Sequence, residues 1–221
     1  MDPYPGIAMT FLRARRPEHK QQRREAILDA ARELAMASGV RNVSLGAVAE
    51  AVGLAKSNIM RYFGTREEIY LQLAVDEWQH WAEAATGRLR AATGMPEVVT
   101  ALAETLTARP LFCDLLSHTA ISLEHNVSVE AAHTFKRAVM GVLAEVTTQV
   151  AHATDLAEGE ARELVMAAAG LAGMLYPAAN PSPTLTEVYA RDPELAVMCP
   201  EMLPTLVRVL SALAAGLPTL R

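Results

Sequence analysis

VSLGAVAEAVGLAKSNIMRYFGTREEIYLQL, residues 43–73, is the stretch from which the fold of this chain can be read. Ser44 stands where a helix N-cap would, its hydroxyl available to the free amides of the next turn. Leu45, Val48, Ala49 and Val52 recur at i, i+3, i+4 and i+7, a single apolar stripe. Gly53 breaks this helix after two turns, and the spacing predicts another short helix from about Lys56 to Phe63. Two short helices joined by a tight glycine turn make a helix-turn-helix, and the small Ala49 lets them approach closely. Gly64 stops the pair. Thr65 and Glu68, three apart, form a capping box that opens a long helix running to about Ala92.

The second short helix divides its residues by face. Ile59 and Phe63, four apart, point inward and anchor it. Lys56, Ser57, Asn58 and Arg61 are left as a row of hydrogen-bonding groups that a buried helix would not carry. In a major groove, Asn58 can pair with adenine, Ser57 with several bases, and Lys56 or Arg61 with guanine or phosphate. Tyr62 offers its hydroxyl to a phosphate while its ring stays partly packed.

On the N-terminal side, Ile27, Leu28, Ala31, Leu34 and Ala35 mark an amphipathic helix that begins near Glu18 and ends at Gly39. Residues 1–17 hold three prolines together with Arg13, Arg15 and Arg16, and are expected to be a flexible basic arm whose Arg15 and Arg16 reach DNA. Further helices are expected at about 96–107, 110–122, 128–153, 158–178 and 202–216, with 180–200 the least regular part. No strand-like alternation occurs. The fold expected is all-α, with about nine helices. A helix-turn-helix domain (18–64) joins a larger helical body (65–221) through the long helix.

Charge divides the same way. The chain is net −5, yet residues 1–64 carry 10 Lys/Arg against 6 Asp/Glu, whereas 65–221 carry 10 against 19. A basic head on an acidic body concentrates attraction for a polyanion at one end. Cys113 and Cys199 are far apart, so neither a disulfide framework nor a cysteine zinc site is expected, and a reducing cytosol suits the chain. The N-terminus lacks the form of a signal peptide. The longest apolar run, Leu164–Tyr176, is 13 residues, short of the roughly 20 a membrane span needs.

Over roughly residues 20–75 the sequence resembles the TetR family of bacterial repressors. The family pattern is a Thr/Ser-capped helix, a glycine turn, a recognition helix ending in Tyr-Phe or His-Phe, and a basic residue opening the next helix. Ser44, Gly53, Tyr62-Phe63 and Arg66 occupy those places, which adds Ser44 and Arg66 to the DNA-facing set. Met60 departs from the pattern, standing where many members have a small residue or tyrosine, so no operator sequence follows from the resemblance.

The resemblance also implies a homodimer and a ligand pocket. The dimer would form through the last two long helices, where Ala169, Gly170 and Gly173 are small enough for close approach and Leu206, Leu210 and Leu213 form a stripe. The pocket would draw on Trp78, Trp81, Phe112, Leu116, His118, Ile121, His133, Phe135, Met140 and Met174. Its ligand would be small and apolar or amphipathic, because a body with few positive charges disfavours a polyanion. Double-stranded DNA is the expected macromolecular partner. No GxSxG, GxGxxG, P-loop or HExxH motif occurs, so no catalytic residue, cofactor or metal is expected. The alternative reading is a helical adaptor that binds another protein and has no specific DNA affinity.

Overall fold

The computed structural model describes residues 7–221, with side chains from Glu18 onward. It is all-α, with no strand among the described residues. The head consists of α1 (Ile7–Ser38), α2 (Leu45–Ala51) and α3 (Lys56–Ile59). The body consists of α4 (Arg66–Leu89), α5 (Met95–Thr107), α6 (Pro110–His118), α7 (Val129–Ala153), α8 (Glu158–Ala179), α9 (Pro183–Arg191) and α10 (Met202–Gly216). Helical backbone starts at Ile7 rather than Glu18, because residues 7–15, IAMTFLRAR, are mostly good helix formers. The side chains of Arg15 and Arg16 lie outside the described residues.

The long helix α4 is the spine. Thr65 caps it, accepting from the Glu68 amide at 3.1 Å. Its buried side includes Ile69, Leu73, Trp81, Ala85 and Leu89, and it packs against α1, α5, α6 and α7. Trp78, Trp81 and Phe112 meet with ring centroids 5.1–6.0 Å apart, two of the three pairs nearly edge-on. The Trp81 indole N–H donates to Thr105 Oγ1 at 3.1 Å, so its polar atom is satisfied inside the core.

The apolar run Leu164–Tyr176 predicts a segment of α8 buried on all sides. Leu164, Val165, Ala168, Ala169 and Ala172 are, but Met166, Gly170 and Met174 face outward. The residues read as dimer-facing divide accordingly. Ala169, Gly173, Leu206 and Leu210 are buried within the chain, because α8 packs on α6 and α10 packs on α5 and α8. Leu213 is half-buried, and of the six only Gly170 is exposed. A stripe of small and apolar residues specifies close packing; it does not say whether the partner helix is in the same chain.

Gly173 fixes the α6–α8 crossing. A Cβ there would lie 2.9 Å from Leu116 Cβ and 3.0 Å from the Leu116 carbonyl carbon. Gly173→Val should therefore destabilise by about 1–3 kcal/mol through overpacking. Gly87→Ala, in open space on α4, should stabilise by up to about 1 kcal/mol. Urea unfolding of both variants tests this, and equal shifts for the two would remove the steric account.

Two departures concern the C-terminal third. The segment expected to be irregular contains α9, with Ser182 capping it and Pro183 at its first position, followed by a 3₁₀ turn at Pro193–Met198. It escaped the periodicity because α9 buries none of its residues. Met202–Leu220 is a 19-residue apolar stretch, long enough by length and composition to cross a membrane. Here Leu206, Leu210, Ala214 and Leu217 are used to pack the body.

Candidate nucleic-acid interface

The reading surface is assembled by short-range chemistry. Ser44 Oγ accepts from the Ala47 amide at 3.1 Å and starts α2. Gly53 takes φ 63°, the left-handed conformation that turns the chain into α3. The Leu54 amide closes the turn on Ala49 O at 2.9 Å. Regular helix ends at Ile59 rather than Phe63. Tighter bonds follow, from the Arg61 amide to Asn58 O at 3.3 Å and from Tyr62 to Ile59 O at 2.8 Å. Ile59 and Phe63 are 0% and 4% exposed, so they anchor the element as expected. Lys56, Ser57, Asn58, Met60 and Arg61 stand in solvent, and Tyr62 is half-buried.

More of the basic surface comes from α1 than the helix-turn-helix pattern suggests. His19, Lys20 and Arg23 line one groove of about 450 Å³ together with Arg61 and Tyr62. Lys20 and Arg23, three apart on a helix, are the local signal for these contacts. Arg24 holds the same corner together. Its guanidinium carbon lies 4.2 Å from the Phe63 ring centroid and its Nη2 donates to Gln72 Oε1 at 2.8 Å.

Arg66 works inside the joint instead of at the surface. Its Nε donates to Val43 O at 2.6 Å, its Nη2 donates to Val40 O, and Nη1 pairs with Glu67 at 3.2 Å. The guanidinium also lies over the Tyr70 ring, 4.7 Å from its centroid. A guanidinium occupied in this way ties the α1–α2 turn to α4 and leaves few donors for a phosphate. Ser44 differs: its exposed Oγ accepts in the cap, which leaves the hydroxyl proton free to donate to a phosphate.

Glu68 connects the reading surface to the body. The capping box closes only in part, because the Glu68 side chain passes its expected target. One oxygen accepts from the Gly64 amide at 2.8 Å, and the other from the Ser128 amide and hydroxyl at 3.0 and 2.7 Å. Ser128 is itself the N-cap of α7. One carboxylate thus joins the end of the recognition element, the start of α4 and the start of α7. Burial pushes the Glu68 pKa up, but the hydrogen bonds from Ser128 and Gly64 outweigh it and hold the carboxyl below its ordinary value of 4.5. A depressed folded-state pKa contributes stability above the unfolded value, lost as pH falls through the folded one. Unfolding free energy measured from pH 7 downward should therefore decline below about pH 4.5, and Glu68→Gln should flatten that decline. Coincident curves for the two proteins would mean the latch carries no pH-dependent stability.

The ten residues read as pocket-lining do not enclose one cavity. Trp78, Trp81 and Phe112 are core, and Leu116 lies under Gly173. His118 Nε2 is 3.5 Å from Asp114 Oδ1. Ile121, His133, Met140 and Met174 are on the surface. Phe135 lines a groove beside Arg24, Tyr62 and Glu68, under the latch. Apolar residues at helical spacing serve core, groove and surface alike, so spacing alone could not sort them.

Comparison with known proteins agrees with this architecture. Residues 27–73 match the family described as bacterial regulatory proteins, tetR family, and residues 75–221 match the tetracyclin repressor-like C-terminal domain. Among curated protein sequences none matches the chain. Solved structures share the fold at low identity. A possible TetR family transcriptional regulator from Streptomyces coelicolor A3(2) is 18% identical, covering 90% of this chain and 100% of its own, with a TM-score of 0.52. The fatty acid degradation regulator FadR from Bacillus halodurans is 13% identical, covering 87% and 96%, also at 0.52. FadR from Bacillus subtilis, in complex with stearoyl-CoA, is 15% identical over the same shares, with a TM-score of 0.52. With a helix-turn-helix head matched over 27–73 and a repressor-like body matched over 75–221, the chain belongs to the tetR family of bacterial transcriptional regulators.

Proposed function

We propose that the protein is a two-fold dimeric repressor that binds a palindromic operator and is released from it by a small apolar or amphipathic ligand. The observation that carries this is the exposed row Lys56, Ser57, Asn58 and Arg61 over the buried anchors Ile59 and Phe63. An element this short makes few base contacts, so two copies spaced by one turn of DNA are needed for tight binding. The basic groove of Lys20, Arg23 and Arg61 supplies phosphate contacts that set register without reading sequence.

The surface best suited to the second copy is the outward row of α8, Met166, Gly170 and Met174, spaced four apart, with Leu203 exposed on α10. Nothing lies within 4 Å of a Cβ built at Gly170, so a neighbouring helix backbone has room to approach. The B. subtilis FadR neighbour binds stearoyl-CoA. In the present chain the acidic body favours the apolar part of such a ligand over the phosphates.

The test is fluorescence anisotropy with DNA flanking the protein's own gene, at two salt concentrations, against scrambled DNA, with sedimentation to count protomers. Selective binding by two protomers per site, steeply weakened by salt, is the expected result. A monomer that binds both DNAs equally weakly and instead captures a protein partner would replace this reading with that of a helical adaptor.

A further inference from the structure

We propose that the cavity between the C-terminal half of α1 and the α4–α6–α8 face of the body binds a neutral amphipathic small molecule whose polar head both donates and accepts hydrogen bonds. The cavity has a volume of about 450 Å³, within the range of small-molecule sites. None of the residues read from the sequence as pocket-lining borders it.

Glu77 marks the polar end. It lines the cavity although it is only 8% exposed. Its nearest cationic atoms are Arg109 Nη1 and His80 Nδ1, each at 3.7 Å, and Arg32 Nε at 4.0 Å. These are ion-pair distances, beyond hydrogen-bond range, and no donor closer than 3.5 Å reaches the carboxylate among the described residues. Its oxygens keep contact with solvent and make no hydrogen bond within the chain, so a donor entering the cavity can bond to them directly. Arg109 likewise has guanidinium N–H groups that an acceptor in the same head group can take up.

The balance of lining charge decides the head group's own charge. Arg32 and Arg109 are offset by Glu77 and by Asp114, whose Oδ2 already accepts from the Val40 amide at 2.7 Å. A charged head would meet repulsion as well as attraction, whereas a hydroxyl or amide meets neither. The opposite wall is apolar. Met36, 71% exposed, lines it together with Pro110, Leu111 and Tyr176. An occupant would touch the head through Arg32 and Met36 and the body through Arg109 and Leu111. Its affinity must then depend on how head and body sit, and that dependence is what couples a ligand to DNA release. Only this last step rests on the reading of the protein as a ligand-released regulator.

The site is tested on the full chain without DNA, by titrating 1-decanol, decanoate and decylamine and following tryptophan fluorescence, since Trp78 adjoins Glu77. The alcohol should bind saturably and at least about tenfold tighter than either charged analogue. Glu77→Gln should weaken it by about tenfold or more, the scale of a hydrogen bond to a charged group. Met36→Arg, at an exposed position, should do the same without a change in melting temperature. Equal binding of the three probes, or full binding by both variants, would overturn the site. Addition of 1-decanol to the protein–DNA complex is then expected to lower DNA affinity. Saturable binding that leaves DNA affinity unchanged would overturn the coupling and leave the site standing. A chain that binds 1-decanol but no DNA would overturn the regulator reading and not the site.

Discussion

Asn58→Ala and Arg61→Ala are each expected to weaken operator binding by about 10–100-fold while leaving the melting temperature within a degree or two. The affinity figure follows from about 1–3 kcal/mol for a good base contact. The stability figure follows from exposure, because surface substitutions away from caps and ion networks stay within about 0.5 kcal/mol. Asn58 on α3 and Arg61 in the turn that follows it both stand in solvent, and neither side chain is needed to hold the element in place. Ile59→Ala is the control. Ile59 is fully buried, so its loss should cost about 2–5 kcal/mol and abolish DNA binding by loosening the head. Lys20→Ala and Arg23→Ala should act differently again. They should weaken binding to all sequences alike and reduce the slope of log affinity against log salt by about one per contact and protomer. Anisotropy across a salt series, paired with thermal melts, separates the three behaviours. If neither Asn58→Ala nor Arg61→Ala changes affinity, α3 is not the reading element.

What could be read beforehand was whatever neighbouring residues decide among themselves. The Ser44 cap, the Gly53 turn, the inward pair Ile59 and Phe63, and the start of α4 at Thr65 all rest on spacings of a few residues, and the structure has each of them. What escaped depends on residues far apart in the chain. Glu68 meets Ser128 sixty positions away, and Asp114 reaches Val40 across seventy-four. No periodicity encodes such pairs, which form only once α4, α6 and α7 are packed. The apolar stripes of α8 and α10 were visible, but not whether they were to be filled from within the chain or by a second copy. Ala169 and Leu210 went one way and Gly170 the other. Arg66 is the sharpest case, because its place in the motif points to DNA and its surroundings point inward.

Arg66→Ala should therefore behave as a stability variant. The substitution leaves the Val40 and Val43 carbonyls without the donors they now have, next to side chains that are 1% and 3% exposed. Each lost partner costs about 1–3 kcal/mol, and the stacking on Tyr70 adds a fraction of that. A total of about 2–5 kcal/mol corresponds to a fall in melting temperature of roughly 5–15 °C for a chain of this size. DNA affinity should fall as well, since the turn held by Arg66 leads directly into the Ser44 cap of α2. Arg66→Lys separates the two roles. A lysine keeps the charge, so it would restore a phosphate contact, but a single ammonium cannot reproduce the planar fork that reaches both carbonyls. The expected result is that Arg66→Lys recovers less than half of the lost stability and little of the lost affinity. Wild-type DNA binding by Arg66→Lys, with an unchanged melting temperature in Arg66→Ala, would return this residue to the DNA-facing surface and leave the α1–α2 turn held by its own backbone.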